Sequence, residues 1–160
     1  METLVIRRAG IEDAAGISAL ATSVAHYFTI SPDGEGAESF LASLSPDSIA
    51  GYVSSPRYQY LAAYRGEQLA GVVAVRDHAH VFHLFVAPRY HRAGVAKQLW
   101  QAARAAAQGA GKVREFTVNS SPFATAVYER FGFEAVGPRA ETKGIAYVPM
   151  RLIVGDDAGA

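Results

Sequence analysis

The sequence predicts an α/β chain in which antiparallel strands lead into a strand, glycine turn and helix. Three observations carry this. Residues 81–104, VFHLFVAPRYHRAGVAKQLWQAAR, open on bulky apolar residues, stop at Pro88, turn through Gly94 and continue with Val95, Leu99 and Ala102 on one helical face. Upstream, residues 58–64 and 69–76 alternate as strands about a hairpin turn at Arg65-Gly66-Glu67-Gln68. Downstream, strand-like runs at 113–119, 133–136 and 144–154 are separated by a helical stretch and by Gly132 and Gly137-Pro138.

In chain order, residues 4–8 are the first strand, broken by Gly10. Ile11-Glu12-Asp13 leads into a helix from 13 to about 28, with Ile17, Leu20, Ala21 and Val24 among its apolar positions. Residues 29–37 hold Ser, Pro, Asp and two glycines and read as a loop. A helix over about 38–44 is followed by one that Ser45 caps and Pro46 starts, ending near 52 or 53. In the strand at 69–76, Gly71 marks a bulge or a close approach of backbones. Asp77-His78-Ala79 turns into the strand that ends at Val86. Gln108-Gly109-Ala110-Gly111 stops the helix that begins after Gly94. Ser120 or Ser121 is positioned to cap a helix over 122–131, with Pro122 in its first turn. One domain is expected over 1–154, with a frayed tail at 155–160.

Composition narrows the function. Half of the 160 residues are apolar, which argues against disorder. Acidic and basic residues balance at fifteen each, so no general surface for nucleic acid or anionic membrane is expected. The chain has no cysteine, which removes disulfides, thiolate metal ligands and a cysteine nucleophile. The N-terminus lacks a long apolar run, so neither a signal peptide nor a membrane span is expected, and a cytoplasmic location is.

The turn before the long helix suits an anion. The first N–H groups of a helix have no partner in the chain and point out of its positive end. Gly94 and Ala96 add little bulk there, while Arg89, His91, Arg92 and Lys97 add positive charge.

The stretch V-A-P-R-Y-H-R-A-G-V-A-K-Q-L resembles the acetyl-CoA motif of the GNAT N-acetyltransferase superfamily, with Gly94 and Ala96 at its small positions and His91 where Gln or Arg is usual. Ser121-Pro122-Phe123-Ala124-Thr125-Ala126-Val127-Tyr128-Glu129-Arg130-Phe131-Gly132-Phe133 is similar to the family's second signature, with Ser121 in place of Asn. Ile6-Arg7-Arg8-Ala9 fits the family's opening phrase. The resemblance spans Val5 to about Ile153. It implies the GNAT fold: a mixed, mostly antiparallel sheet of about six or seven strands flanked by about four helices.

The resemblance also implies an activity, acetyl transfer from acetyl-CoA to an amine by direct attack through a tetrahedral intermediate. A small-molecule amine is the expected acceptor, a peptide N-terminus or lysine the lesser one; a homodimer would be in keeping with the family. The residues that match are Arg92, Ala93, Gly94, Val95, Ala96 and Lys97 for the diphosphate, and the backbone of Leu84, Phe85 and Val86 for the pantetheine arm. Asn119 and Ser121 match positions near the cofactor amides. Tyr128 matches the tyrosine that donates to the leaving sulfur. Tyr27, Phe28, Tyr52 and Tyr58 fall in the region that shapes the acceptor pocket.

Where many members carry a carboxylate base, this strand carries histidines. His80 and His83 are the candidate bases, because imidazole titrates near neutrality. Regular alternation places His83 on the opposite face of the strand unless a bulge intervenes. His78, His80 and His83 also admit a metal-site alternative, although no acidic partner is fixed by spacing; the expectation is no metal. A GNAT-fold module that binds the cofactor as a sensor, without efficient transfer, stays open as the second function class.

Overall fold

The computed structural model describes residues 3–154; the expected tail at 155–160 lies outside the described residues. The elements are β1 Leu4–Arg8, α1 Ala14–Val24, α2 Glu38–Ala42, α3 Pro46–Ser54, β2 Tyr58–Arg65, β3 Gln68–Arg76, β4 His80–Val86, α4 Val95–Ala110, β5 Glu115–Ser120, α5 Thr125–Arg130, β6 Glu134–Ala135, β7 Ala140–Thr142 and β8 Ile145–Ile153. The sheet order is β1-β2-β3-β4-β5-β8-β6, with β7 also on β8. All pairs are antiparallel except β4 with β5. Only that pair needs a long crossover, and α4 supplies it.

Two apolar layers sandwich the sheet. On one face α4 turns Val95, Leu99, Trp100, Ala103 and Ala107 inward, at helical spacing, onto Val73, Val75 and Phe116. Trp100 meets Phe116 edge-on at 5.0 Å and Phe133 at 5.4 Å. Gly71 leaves room for the side chains of α4: a Cβ there would lie 2.8 Å from the Phe85 carbonyl oxygen and 3.0 Å from Leu99. On the other face α1 and α3 bury Ile17, Ala21, Ile49 and Val53 against Tyr60, Val72 and Phe85. Ser45 caps α3, its hydroxyl accepting the Ser48 amide at 3.2 Å.

The first turn of α1 is fixed by charge. The Asp13 side chain, only 4% exposed, accepts two bonds from the Arg7 guanidinium at 2.9 and 3.0 Å. It also accepts the Gly10 amide at 2.8 Å and the Tyr64 hydroxyl at 2.6 Å. The Arg7 bonds hold its carboxyl well below the usual carboxylate range. This ties β1 and β2 to the start of α1.

Several expectations are corrected in detail. The run at 140–142 forms β7, an eighth strand; three residues reading Ala-Glu-Thr have no apolar alternation to announce it. Neither Ser120 nor Ser121 caps α5. Ser120 Oγ donates to the Ser121 carbonyl at 2.7 Å, a turn occupies 122–124, and α5 starts at Thr125 behind Ala124.

β4 carries a bulge. Ala74 pairs with His83 and Val75 with Val81, which leaves Phe82 outside the ladder. Regular alternation fails there, so Phe82 and His83 stack with ring centroids 4.2 Å apart on the α1 face. His83 is 6% exposed, and its Nδ1 lies 2.8 Å from the Tyr60 hydroxyl oxygen. Burial pushes the imidazole down to about 3 and the Tyr60 phenol up, so both are neutral at pH 7.

The sign follows from linkage. An unfolded imidazole takes a proton near pH 6.5, and the folded one does not until about 3. Stability from this group is therefore intact above pH ~6.5 and falls on acidification towards 3, by ~1.4 kcal/mol per unit once the unfolded form is fully charged. We predict that His83→Gln loses less unfolding free energy than the parent between pH 7 and 5. Denaturant titrations at both pH values test this, and equal losses in the two proteins would contradict it.

Candidate functional site

The site begins where the sheet opens. β4 and β5 pair over only two positions, His80 with Thr117 and Val81 with Val118. The Thr117 amide adds one bond to the Ala79 carbonyl at 2.9 Å. Beyond Val81 the strands part, although β4 stays on β3 up to Val86 and β5 stays on β8 through six pairs. The crevice is thus flanked by the unpaired edge of residues 82–86 and by Asn119 and Ser120. Leu84, Phe85 and Val86 all lie on that edge. Phe85 is buried towards α1, while Leu84 and Val86 pack towards α4. Their side chains hold the wall, and their backbone groups are what the crevice presents. The Val86 carbonyl lies 2.9 Å from His91 Nε2.

At the Val86 end stands the start of α4. Gly94 is its N-cap in the left-handed region, φ +80, and open space faces its α-carbon. Arg92 is also left-handed, φ +64, a conformation that costs a non-glycine residue on the order of 1–3 kcal/mol and concentrates at ligand clamps. Val95 is buried and anchors the helix, whereas Arg92, Ala93, Gly94 and Lys97 are exposed. The amides of Val95, Ala96 and Lys97 have no carbonyl inside the helix to bond. Arg92 and Lys97 make no ion pair among the described residues. A dianionic ester group fits here: free amides, the positive end of a 16-residue helix and two uncommitted cations.

Tyr128, on α5, is buried in the core on the α4 side of the sheet, the opposite face to His83. Its ring packs edge-on to Phe131 at 6.0 Å and Phe133 at 5.5 Å. Burial pushes the phenol up, so it stays protonated at pH 7. Among the described residues its hydroxyl has no hydrogen-bond partner, and it is not one of the fully enclosed unpaired atoms, which there are Thr29 Oγ1 and Arg65 Nε. Its oxygen therefore keeps an opening. Asn119 is exposed near the end of β5, and Ser121 is buried immediately after it.

His80 is half-buried at the closed end of the crevice, with Nδ1 2.8 Å from Thr117 Oγ1. Burial lowers its imidazole, and the nearby Arg76 charge adds to that. The bulge places His80 and His83 on one face, but they bond different partners. Among the described residues no three metal-capable side chains converge.

A pocket of about 350 Å³ lies beside the open end. Tyr27 and Phe28 line it; Tyr52 and Tyr58 do not, being packed on Phe82 at 5.0 Å each. The Phe28–Ile30 segment is tied to β8 by the Ala146 amide on the Phe28 carbonyl and the Ile30 amide on the Gly144 carbonyl, both 2.9 Å. Gly144, φ +79, lets this happen, since a Cβ there would run into the Gly36 backbone. Phe123, Ile30, Arg139 and His26 are also part of its lining. Sequence reading missed their role; the one signal was Pro-Phe directly after a strand that ends at the site. A larger, open hollow of about 630 Å³ at Arg65, Gln68, Arg89 and Tyr90 belongs to the β2–β3 hairpin, on the far side of β4 from β5.

No helix among the described residues is long and apolar enough to cross a membrane. The fold is shared with solved acetyltransferases. The chain is similar to the PaiA N-acetyltransferase from Thermoplasma acidophilum, solved in complex with coenzyme A, at 17% identity and a TM-score of 0.79, covering 94% of this chain and 99% of that one. It is similar to the GNAT-family acetyltransferase from Streptococcus pneumoniae at 23% identity and a TM-score of 0.71, covering 96% and 100%. It is also similar to the ribosomal-protein-S18-alanine N-acetyltransferase from Escherichia coli at 17% identity and a TM-score of 0.67, covering 97% and 98%. No curated protein matches the sequence. Residues 28–154, most of the chain, match the sequence model of the acetyltransferase (GNAT) domain, and the chain belongs to that family of acetyltransferases.

Proposed function

We propose that this chain takes acetyl-CoA into the β4–β5 crevice and transfers the acetyl group to the amine of a small molecule. The observation that carries the reading is the parting of β4 from β5 in the same place as the anion cradle at Gly94. A long, amide-bearing arm and a diphosphate need those two features together. The relative from Thermoplasma acidophilum, of the same fold, holds coenzyme A.

In this reading the amides of residues 95–97, with Arg92 and Lys97, hold the diphosphate and so fix the depth of the thioester. The backbone edge of Leu84, Phe85 and Val86 pairs with the arm as an added strand would, and Asn119 on β5 and Ser121 just after it face the arm. The amine attacks the thioester carbonyl; a new C–N bond forms and the C–S bond breaks. The neutral phenol of Tyr128 gives a proton to the departing sulfur. The amine's own proton leaves through water, with His80 at the closed end as a relayed acceptor, because His83 is enclosed, bonded to Tyr60 and held near 3. His83 then acts by packing the wall behind Phe82 and Phe85.

Thiol release from acetyl-CoA across a panel of amines tests the proposal; tight cofactor binding with no release on any amine would favour a sensor. Variants separate binding from chemistry. Gly94→Glu should abolish acetyl-CoA binding by calorimetry and, because φ there is +80, lower stability by about 1–3 kcal/mol while the circular dichroism spectrum stays that of a folded domain; Gly94→Ala carries the same backbone strain without the charge and should keep measurable binding. Normal binding by Gly94→Glu would undo the cradle. Tyr128→Phe should lower turnover by ~10²-fold or more with acetyl-CoA affinity within about threefold. Unchanged turnover would remove Tyr128 from the mechanism.

A further inference from the structure

We infer that the amine accepted by this site is a monoamine carried on an aromatic or bulky apolar body, of arylalkylamine type, and not a polyamine or an aminoglycoside. The inference rests on the reading of the crevice as the acetyl-CoA site and concerns the pocket beside it.

Three observations carry it. The first is an exposed apolar pair. Phe123 is 72% exposed and Ile30 47% exposed, yet both line the same pocket of about 350 Å³. Phe123 sits on the turn before α5 and meets Tyr27 edge-on at 5.5 Å, with no core behind it. Solvent-facing aromatic rings gathered round a hollow gain free energy only when something apolar covers them. A volume of about 350 Å³ is at the small end of ligand sites, enough for one or two rings on a short arm.

The second is charge. None of the residues lining the pocket is acidic; its basic groups are His26 and Arg139, the latter paired with Glu141 at 2.8 Å with both side chains half exposed. A polyamine or aminoglycoside would have to seat a second ammonium beside Arg139 with no carboxylate to receive it, since Glu141 is already engaged. A lining with no carboxylate for a second ammonium selects against such acceptors.

The third is position. Phe28 meets Phe85 of β4 edge-on at 6.3 Å. Tyr27 lies 6.2 Å from His91, whose Nε2 is bonded to the Val86 carbonyl at the open end of the crevice. Phe123 follows β5 by three residues. A ring seated on Tyr27 and Phe123 therefore directs a short aminoalkyl arm between the parted strands.

The test is steady-state thiol release at saturating acetyl-CoA with 2-phenylethylamine, tryptamine, spermidine and kanamycin, in the parent and in Phe123→Ala, Phe123→Leu and Arg139→Gln. Acetyl-CoA affinity is measured separately by calorimetry. The expected result is kcat/KM for the aryl amines ~20-fold or more above that for spermidine or kanamycin. Phe123→Ala should raise KM for the aryl amines ~10-fold with little change in kcat, Phe123→Leu should restore most of the loss, and Arg139→Gln should narrow the gap to spermidine. Faster release with spermidine or kanamycin would overturn the inference, as would an unchanged KM in Phe123→Ala, or release on none of the four while acetyl-CoA binds. Failure of acetyl-CoA to bind at all would overturn the cofactor reading and this inference with it.

Discussion

The structure depends on one constraint: a parallel pairing that lasts two residues. β4 and β5 touch at His80 and Val81 and then diverge. A gap in a sheet is costly, because it strips backbone groups of their ladder. It persists here because each strand is held from behind. β4 is bonded to β3 as far as Val86, and β5 to β8 through six pairs. Slots of this kind invite an extended, amide-rich ligand, which can complete both edges at once.

The rest of the chain holds that gap open and aims groups into it. α4 crosses from one strand to the other and brings its N-terminus to the open end. Val95 and Leu99 lock that helix against Gly71, where even a methyl group would crowd the Phe85 carbonyl. In the core on the α4 face lies the protonated phenol of Tyr128. From the α1 face comes a wall of Phe82, His83 and Phe85, made continuous by the bulge and kept neutral by burial. That wall carries no charge of its own; Arg92 and Lys97 stand at the Val86 end of the gap, and Arg76 lies near His80 at the other.

Much of this was legible in the residues, for identifiable reasons. Gly94 after Pro88, followed by apolar residues at helical spacing, leaves few alternatives to a turn and a helix start. Ser45-Pro46 likewise announces the beginning of α3. What was hidden depends on tertiary partners. Nothing local says that Ser120 will bond the Ser121 carbonyl in place of capping α5. Nothing local says that Ala-Glu-Thr at 140–142 will become β7, because β8 supplies the pairing. The bulge was anticipated only as an exception to alternation, and it decides which face His83 takes. Phe123 was visible in the second signature, but its exposure, and its meeting with Tyr27, come from two segments nearly a hundred positions apart.

Amide hydrogen exchange with and without coenzyme A measures the central claim most directly. Occupation of the gap predicts slower exchange in two segments together, Leu84–Val86 on the edge of β4 and Val95–Lys97 at the start of α4, with β1 and β2 unchanged. Exchange that stays the same in both segments at saturating coenzyme A, or protection found only at the β2–β3 hairpin, would contradict it.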